Sequence, residues 1–141
     1  MIISARISTA DDWLELNSGL YRLHADSFAD SSTSWRRDEV TNPFVEGSWT
    51  VNALRDNVQE TLSIWAKGDG TTSTLQAVEV LKAAFSQLSY LIEVTYDSEM
   101  YTYHCQVADC QVQASRELRH AGIAQVTFTV PRHPVYTLEV V

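Results

Sequence analysis

The stretch from Asn57 to Tyr96 constrains this chain more than any other, because its apolar residues change period twice. In Val58–Lys67, Val58, Leu62, Ile64 and Ala66 alternate with Gln59, Thr61, Ser63, Trp65 and Lys67, the period of a half-buried strand. Glu60 is the one polar residue on the apolar side, and Trp65 falls on the polar side. Gly68-Asp69-Gly70 then breaks the strand, since glycine tolerates the backbone angles of a sharp turn. Beyond it, Leu75, Val78, Leu81, Phe85 and Leu88 recur three or four apart. That spacing predicts a helix over 73–88 with those five on its core face, and Thr72 or Ser73 is placed to cap its first turn. At Ser89 the period returns to two, with Tyr90, Ile92, Val94 and Tyr96 on one side. Strand, helix and strand form a unit able to nucleate a core. Nothing in it has a catalytic pattern, so it reads as scaffold.

The flanking segments are extended in character. Trp13, Leu14, Leu16, Leu20, Tyr21 and Leu23 surround Asn17-Ser18-Gly19, which predicts two short strands joined by a turn. Ala29–Ser34 is small and polar, a loop. Trp35–Val40 is extended until Asn42-Pro43 breaks it. Asp56-Asn57 offers a tight turn, so Trp49–Leu54 and Val58–Lys67 are expected to form a hairpin. An arm at about 33–55, carrying Trp35, Phe44 and Trp49, is expected to stand away from the core. Tyr101–Val107 alternates, and Cys110–Ser115 continues extended past a bend at Ala108-Asp109. Arg116–Gly122 reads as a polar turn region. In Gln125–Val130, Val126, Phe128 and Val130 face inward, Pro131-Arg132-His133-Pro134 stops the strand, and Val135–Val141 is a β-prone tail. The expected architecture is a single domain over 1–141, α+β and mainly β: an antiparallel β-sandwich or open barrel with one flanking helix.

Composition narrows the function classes. A chain of 141 residues can bury roughly two-thirds of its unfolded surface. Its longest apolar run falls short of the ~20 residues that span a membrane, so no membrane partner is expected. Met1–Arg6 lacks a basic stretch followed by an apolar one, which predicts a cytosolic product. The net charge of −8 repels phosphate backbones and argues against nucleic-acid binding. Apart from Lys67 and Lys82 the cations are arginines, the better residue for fixed interface pairs.

Candidate chemistry is sparse. Cys105 and Cys110 are expected to be buried thiols, and a zinc site would need two more ligands. His104 adjoins Cys105, but alternation points neighbours on a strand to opposite faces. His24, His104, His120 and His133 stand in four segments with no partner readable from spacing. Asp11, Asp12 and Glu15 read as a solvated turn. Gly68-Asp69-Gly70 lacks the glycine spacing and lysine of a phosphate loop, and Arg36-Arg37 reads as solvated charge. No catalytic, cofactor or metal residue is assigned. The tryptophans are more informative. Trp35, Trp49 and Trp65 lie on segments expected to be neighbours, and tryptophan is enriched in interface hot spots. With Phe44 they are the candidate oligomer interface. The alternatives are core packing beneath the helix, or a ligand- or glycan-binding surface built from Trp35, Trp49 and Trp65.

Three runs carry a family resemblance: Asn42-Pro43-Phe44-Val45-Glu46-Gly47-Ser48-Trp49-Thr50-Val51, Arg55-Asp56-Asn57-Val58-Gln59-Glu60-Thr61-Leu62 and Val130-Pro131-Arg132-His133-Pro134. With the turn and helix between them, the chain resembles the small minor tail proteins of long-tailed, siphovirus-type bacteriophages, particularly those of actinobacteria. It is also similar to tail-tube proteins and to the N-terminal domain of distal tail proteins. The resemblance implies a non-enzymatic virion subunit, made in the host cytoplasm, that forms a ring, hexameric by analogy, at an end of the tail tube. It implies tail-tube or other tail proteins as partners, and sheet joined between subunits around a lumen with the helix outside. An acidic wall would keep passing DNA from sticking. A full distal tail protein usually adds a C-terminal domain, for which a chain ending at Val141 leaves no expected room.

Overall fold

The structure, a computed structural model, describes residues 2–24, 27–28, 35–41, 43–44, 46–113 and 122–140. The expected loop at Ala29–Ser34 and almost all of the expected turn region at Arg116–Gly122 lie outside these residues. Within them the chain is mainly β with one helix, as expected. In order come β1 (Ile2–Ser8), β2 (Trp13–Glu15), β3 (Tyr21–Leu23), β4 (Trp35–Thr41), β5 (Ser48–Arg55) and β6 (Val58–Lys67). Helix α1 (Thr74–Phe85) is followed by β7 (Ser89–Tyr96), β8 (Glu99–Gln106), β9 (Asp109–Gln113), β10 (Ile123–Arg132) and β11 (Thr137–Val140).

Nine strands form one antiparallel sheet in the order β2-β1-β7-β8-β10-β6-β3, with β11 added to β8 and β9 to β10; β4 and β5 form a separate pair. The large sheet curls into an open barrel around one core, which gathers Ile7 from β1, Leu62 and Ile64 from β6, Ile92 and Val94 from β7, and Val126, Phe128 and Val130 from β10. The alternation of β6 is borne out residue by residue, from Val58 to Ala66.

The expected hairpin between Trp49–Leu54 and Val58–Lys67 does not form. β5 pairs with β4, and β6 pairs along its whole length with β10, from Val58 opposite Arg132 to Lys67 opposite Ile123. A strand with a fully alternating apolar face is stabilised most by a partner of the same pattern, and β10 alternates as β6 does. Likewise β2 and β3 do not pair with each other: β2 joins β1 and β3 joins β6.

Helix α1 is shorter than expected and rotated. Ser73 caps it in a capping box with Gln76. Its buried face is Ala77, Val78, Leu81, Ala84 and Phe85, while Leu75 is 71% and Leu88 84% exposed. Six residues separate Leu75 from Leu81, which puts them about 120° apart around the axis. At the other end, the Ser86 hydroxyl donates to the Lys82 carbonyl (2.6 Å) and the Gln87 amide to the Ala84 carbonyl (2.7 Å). These donors satisfy the last carbonyls and stop the helix before Leu88. Phe85 stacks on Phe128 with ring centroids 4.0 Å apart, and the Tyr21 hydroxyl donates to the Ala77 carbonyl (2.7 Å). The glycine at 68 serves close approach rather than an unusual φ: a Cβ there would sit 2.5 Å from the Thr72 carbonyl oxygen.

Candidate functional site

The four expected interface residues fall in two places. Trp35, Phe44 and Trp49 belong to the β4–β5 unit, whereas Trp65 lies on β6 in the large sheet. Trp35 pairs with Arg55 at one end of the two-stranded sheet, and Trp49 pairs with Val40 near the other. Trp35 and Trp65 therefore lie in different sheets, and neither is in the core.

Every residue of β4 is exposed. Among the exposed apolar side chains are Trp35, Val40, Phe44 and Leu54, with Phe44 95% accessible. The side chain of Trp49 lies outside the described ones. The pair is held by its ladder, with a register shift between Asp38 and Glu39. The Ser48 hydroxyl adds a hydrogen bond to Glu39 Oε2 (3.0 Å), and Arg36 contacts Asp56 at 2.7 Å. Such an exposed ion pair contributes at most ~1 kcal/mol, and a two-stranded ribbon in water is marginal on its own.

Trp65 stands between Arg22 on β3 and Gln125 on β10. It meets His24 edge to face at 5.9 Å and is 46% exposed.

Glu60, the polar residue on the apolar side of β6, is buried and accepts a hydrogen bond at Oε1 from Arg132 Nε (2.9 Å). Arg132 continues the inward set Ala124, Val126, Phe128, Val130 of β10, so the strand runs through Pro131 rather than stopping there. Its guanidinium lies 4.9 Å from the centre of the Tyr103 ring, and it pairs in register with Cys105. Sequence reasoning missed Arg132, although the period of two, carried one step past Val130, points to it. Burial pushes the Cys105 thiol up to about 12, with Arg132 opposing the rise and Glu60 adding to it. A thiol held protonated is a poor nucleophile at neutral pH.

Cys105 is buried and His104 exposed, the opposite faces expected of strand neighbours, whereas Cys110, expected to be buried, is exposed on β9. Two of the scattered histidines do come together. The His133 amide donates to the His104 carbonyl (2.8 Å), and both residues line an open cavity of about 400 Å³ with Val135, Tyr136 and Thr137. His133 Nδ1 accepts the Val135 amide (3.1 Å). Among the described residues there is no cluster of three metal-capable side chains.

No protein-family model matches the sequence, and comparison with curated proteins gives no match. Among solved structures, the chain is similar to a chain of the phage P2 baseplate in its activated conformation with Ca, at TM-score 0.61 and 10% identity. A chain of the same baseplate with Sr gives the same values. In each case 92% of this chain is covered and 43% of the other, so the likeness is one of fold, and this chain matches less than half the length of either neighbour.

Proposed function

We propose that this protein is a structural subunit of a bacteriophage tail or baseplate, one that assembles into a ring at an end of the tail tube. The observation that carries the reading is the likeness of fold to a baseplate chain over 92% of the sequence. The siphovirus-type resemblance of the sequence points the same way and is the sole support for that finer class. The role is one of assembly rather than catalysis: the thiol nearest a histidine is buried and pushed up to about 12.

The ring contact is assigned to the β4–β5 arm, with Trp35, Phe44 and Trp49 as its apolar set. A ribbon that is marginal alone and exposed along all of β4 gains order when a neighbour covers it. Other tail proteins, including a tube protein above or below the ring, are the heterologous partners, and the virion tail is the place of action. Size-exclusion chromatography with light scattering, on the protein alone and mixed with its tube protein, tests the reading. Rings or a stoichiometric complex are expected; a monomer under both conditions overturns it.

A further inference from the structure

The chain passes from β10 to β11 through a short turn, and that turn is fastened by a histidine that stands opposite a second one. Arg132 pairs with Cys105, and the next step of the antiparallel register brings His133 opposite His104 on β8. The His133 amide donates to the His104 carbonyl (2.8 Å). Both side chains therefore share a face, and both line the open cavity with Val135, Tyr136 and Thr137. His133 Nδ1 accepts the Val135 amide (3.1 Å), which closes the turn and puts the proton of the neutral ring on Nε2. Beyond the turn, the Tyr136 ring lies 5.5 Å from that of Tyr101 and 5.7 Å from that of Tyr103. β11 itself is exposed throughout. Among the described strands it pairs with β8 alone, from Thr137 opposite Thr102 to Val140 opposite Glu99.

We propose that the His104–His133 pair is an acid-sensitive latch on β11: protonation of His133 breaks its bond to the Val135 amide and loosens the strand from β8. A protonated imidazole donates from both nitrogens, so Nδ1 cannot hold a proton and accept the Val135 N–H at once. A second charge on His104, directly across the pair, adds repulsion. Histidine is the side chain that changes charge between pH 5 and 8. The open turn accepts the proton and the closed turn resists it, so the latch holds at neutral pH and weakens as pH falls. The charges around the pair do not offset this. On β7, His104 faces Leu91, and Glu93 in the next row is held by Arg6 of β1 at 2.6 Å. On β11, Glu139 lies opposite Met100, a further row away. On the β6 side, Asp56 is held by Arg36 at 2.7 Å. From the core side, Arg132 donates to the His133 carbonyl (3.4 Å), and a cation there opposes another positive charge. A metal ion on His133 Nε2 would need a proton on Nδ1 and meets the same conflict. The inference does not depend on the ring reading, because it uses the edge of the barrel and not the β4–β5 arm.

Hydrogen–deuterium exchange of the full chain, read by mass spectrometry on peptides covering β11, tests it at about pH 7.5 and about pH 5.5, either side of the histidine range. Each measurement is paired with His133→Asn at the same pH, so that the intrinsic exchange rate cancels. Asparagine supplies a side-chain carbonyl to the N–H two residues on and does not titrate. Parent and His133→Asn are expected to exchange alike at the higher pH. At the lower pH the parent's β11 exchanges about fivefold faster than that of His133→Asn, the effect on an equilibrium of losing one hydrogen bond. His133→Ala, with no acceptor, exchanges fast at both values. His104→Gln, which removes the second charge, leaves a smaller acid response than the parent's. The proposal is overturned if the parent and His133→Asn match at the lower pH, or if the parent's extra exchange there spreads equally over β6 and β10. It is also overturned if His133→Ala is as protected as the parent at the higher pH.

Discussion

Glu60 and Arg132 sit inside the barrel at 2% and 8% side-chain exposure, joined at 2.9 Å. Desolvating two charges costs several kcal/mol each, so the pair as a whole contributes little, yet either partner left alone is an uncompensated buried charge. Glu60→Ala is therefore expected to lower stability by ~3–5 kcal/mol in urea unfolding, and the double variant Glu60→Leu/Arg132→Met to recover most of it. Equal losses in the single and double variants would show that the pair is not the reason. Cys105 gives a second expectation at this scale. Its folded value, about 12, lies above its ordinary value of 9.0, so its contribution is fully present below pH 9 and lost as pH rises toward 12. Buried Tyr90 and Tyr103, both raised chiefly by burial, act with the same sign. Urea midpoints of Cys105→Val should therefore fall less steeply than the parent's between pH 9 and 11, where one such thiol contributes up to ~1.4 kcal/mol per pH unit. Parallel profiles would refute the assignment.

At the scale of elements, α1 separates what periodicity can reveal from what it cannot. Leu81 is fully buried, so Leu81→Ala is expected to cost ~2–5 kcal/mol, whereas Leu75→Ala and Leu88→Ala should each cost less than ~0.5 kcal/mol. Thermal melts of the three variants check this, and a large loss at Leu75 would contradict the helix rotation. The apolar period located the helix, but the small residues Ala77 and Ala84 turned its buried face away from Leu75. Helix length was set by Ser86 and Gln87 bonding back onto the last turn, a signal that apolar spacing does not carry. The strands show the same division. The alternation of β6 and β10 was legible because each buries one face. Their pairing was not, since Asp56-Asn57 has the residues of a turn whether or not the strands it joins are neighbours. Arg132 was legible in principle and hidden by Pro131, which usually marks a strand end. Trp65 was correctly placed on the polar side of its strand, but nothing local to the sequence told that it and Trp35 would lie in different sheets.

For the whole molecule, an open barrel with one helix against its core and a fully exposed β4 suits a subunit whose ordering is completed by its neighbours. In the proposed reading, a phage tail is the setting and the β4–β5 arm is the contact. The most direct test of that account is the mass distribution of the purified protein by light scattering, beside arm variants that leave the barrel intact. The parent is expected to form a closed oligomer, alone or on its tube protein. Trp35→Ala combined with Leu54→Ser should melt as the parent does yet remain monomeric, with assembly weakened by ~2 kcal/mol or more. A parent that stays monomeric under both conditions, or an arm variant that melts early while its folded fraction assembles normally, would contradict the account.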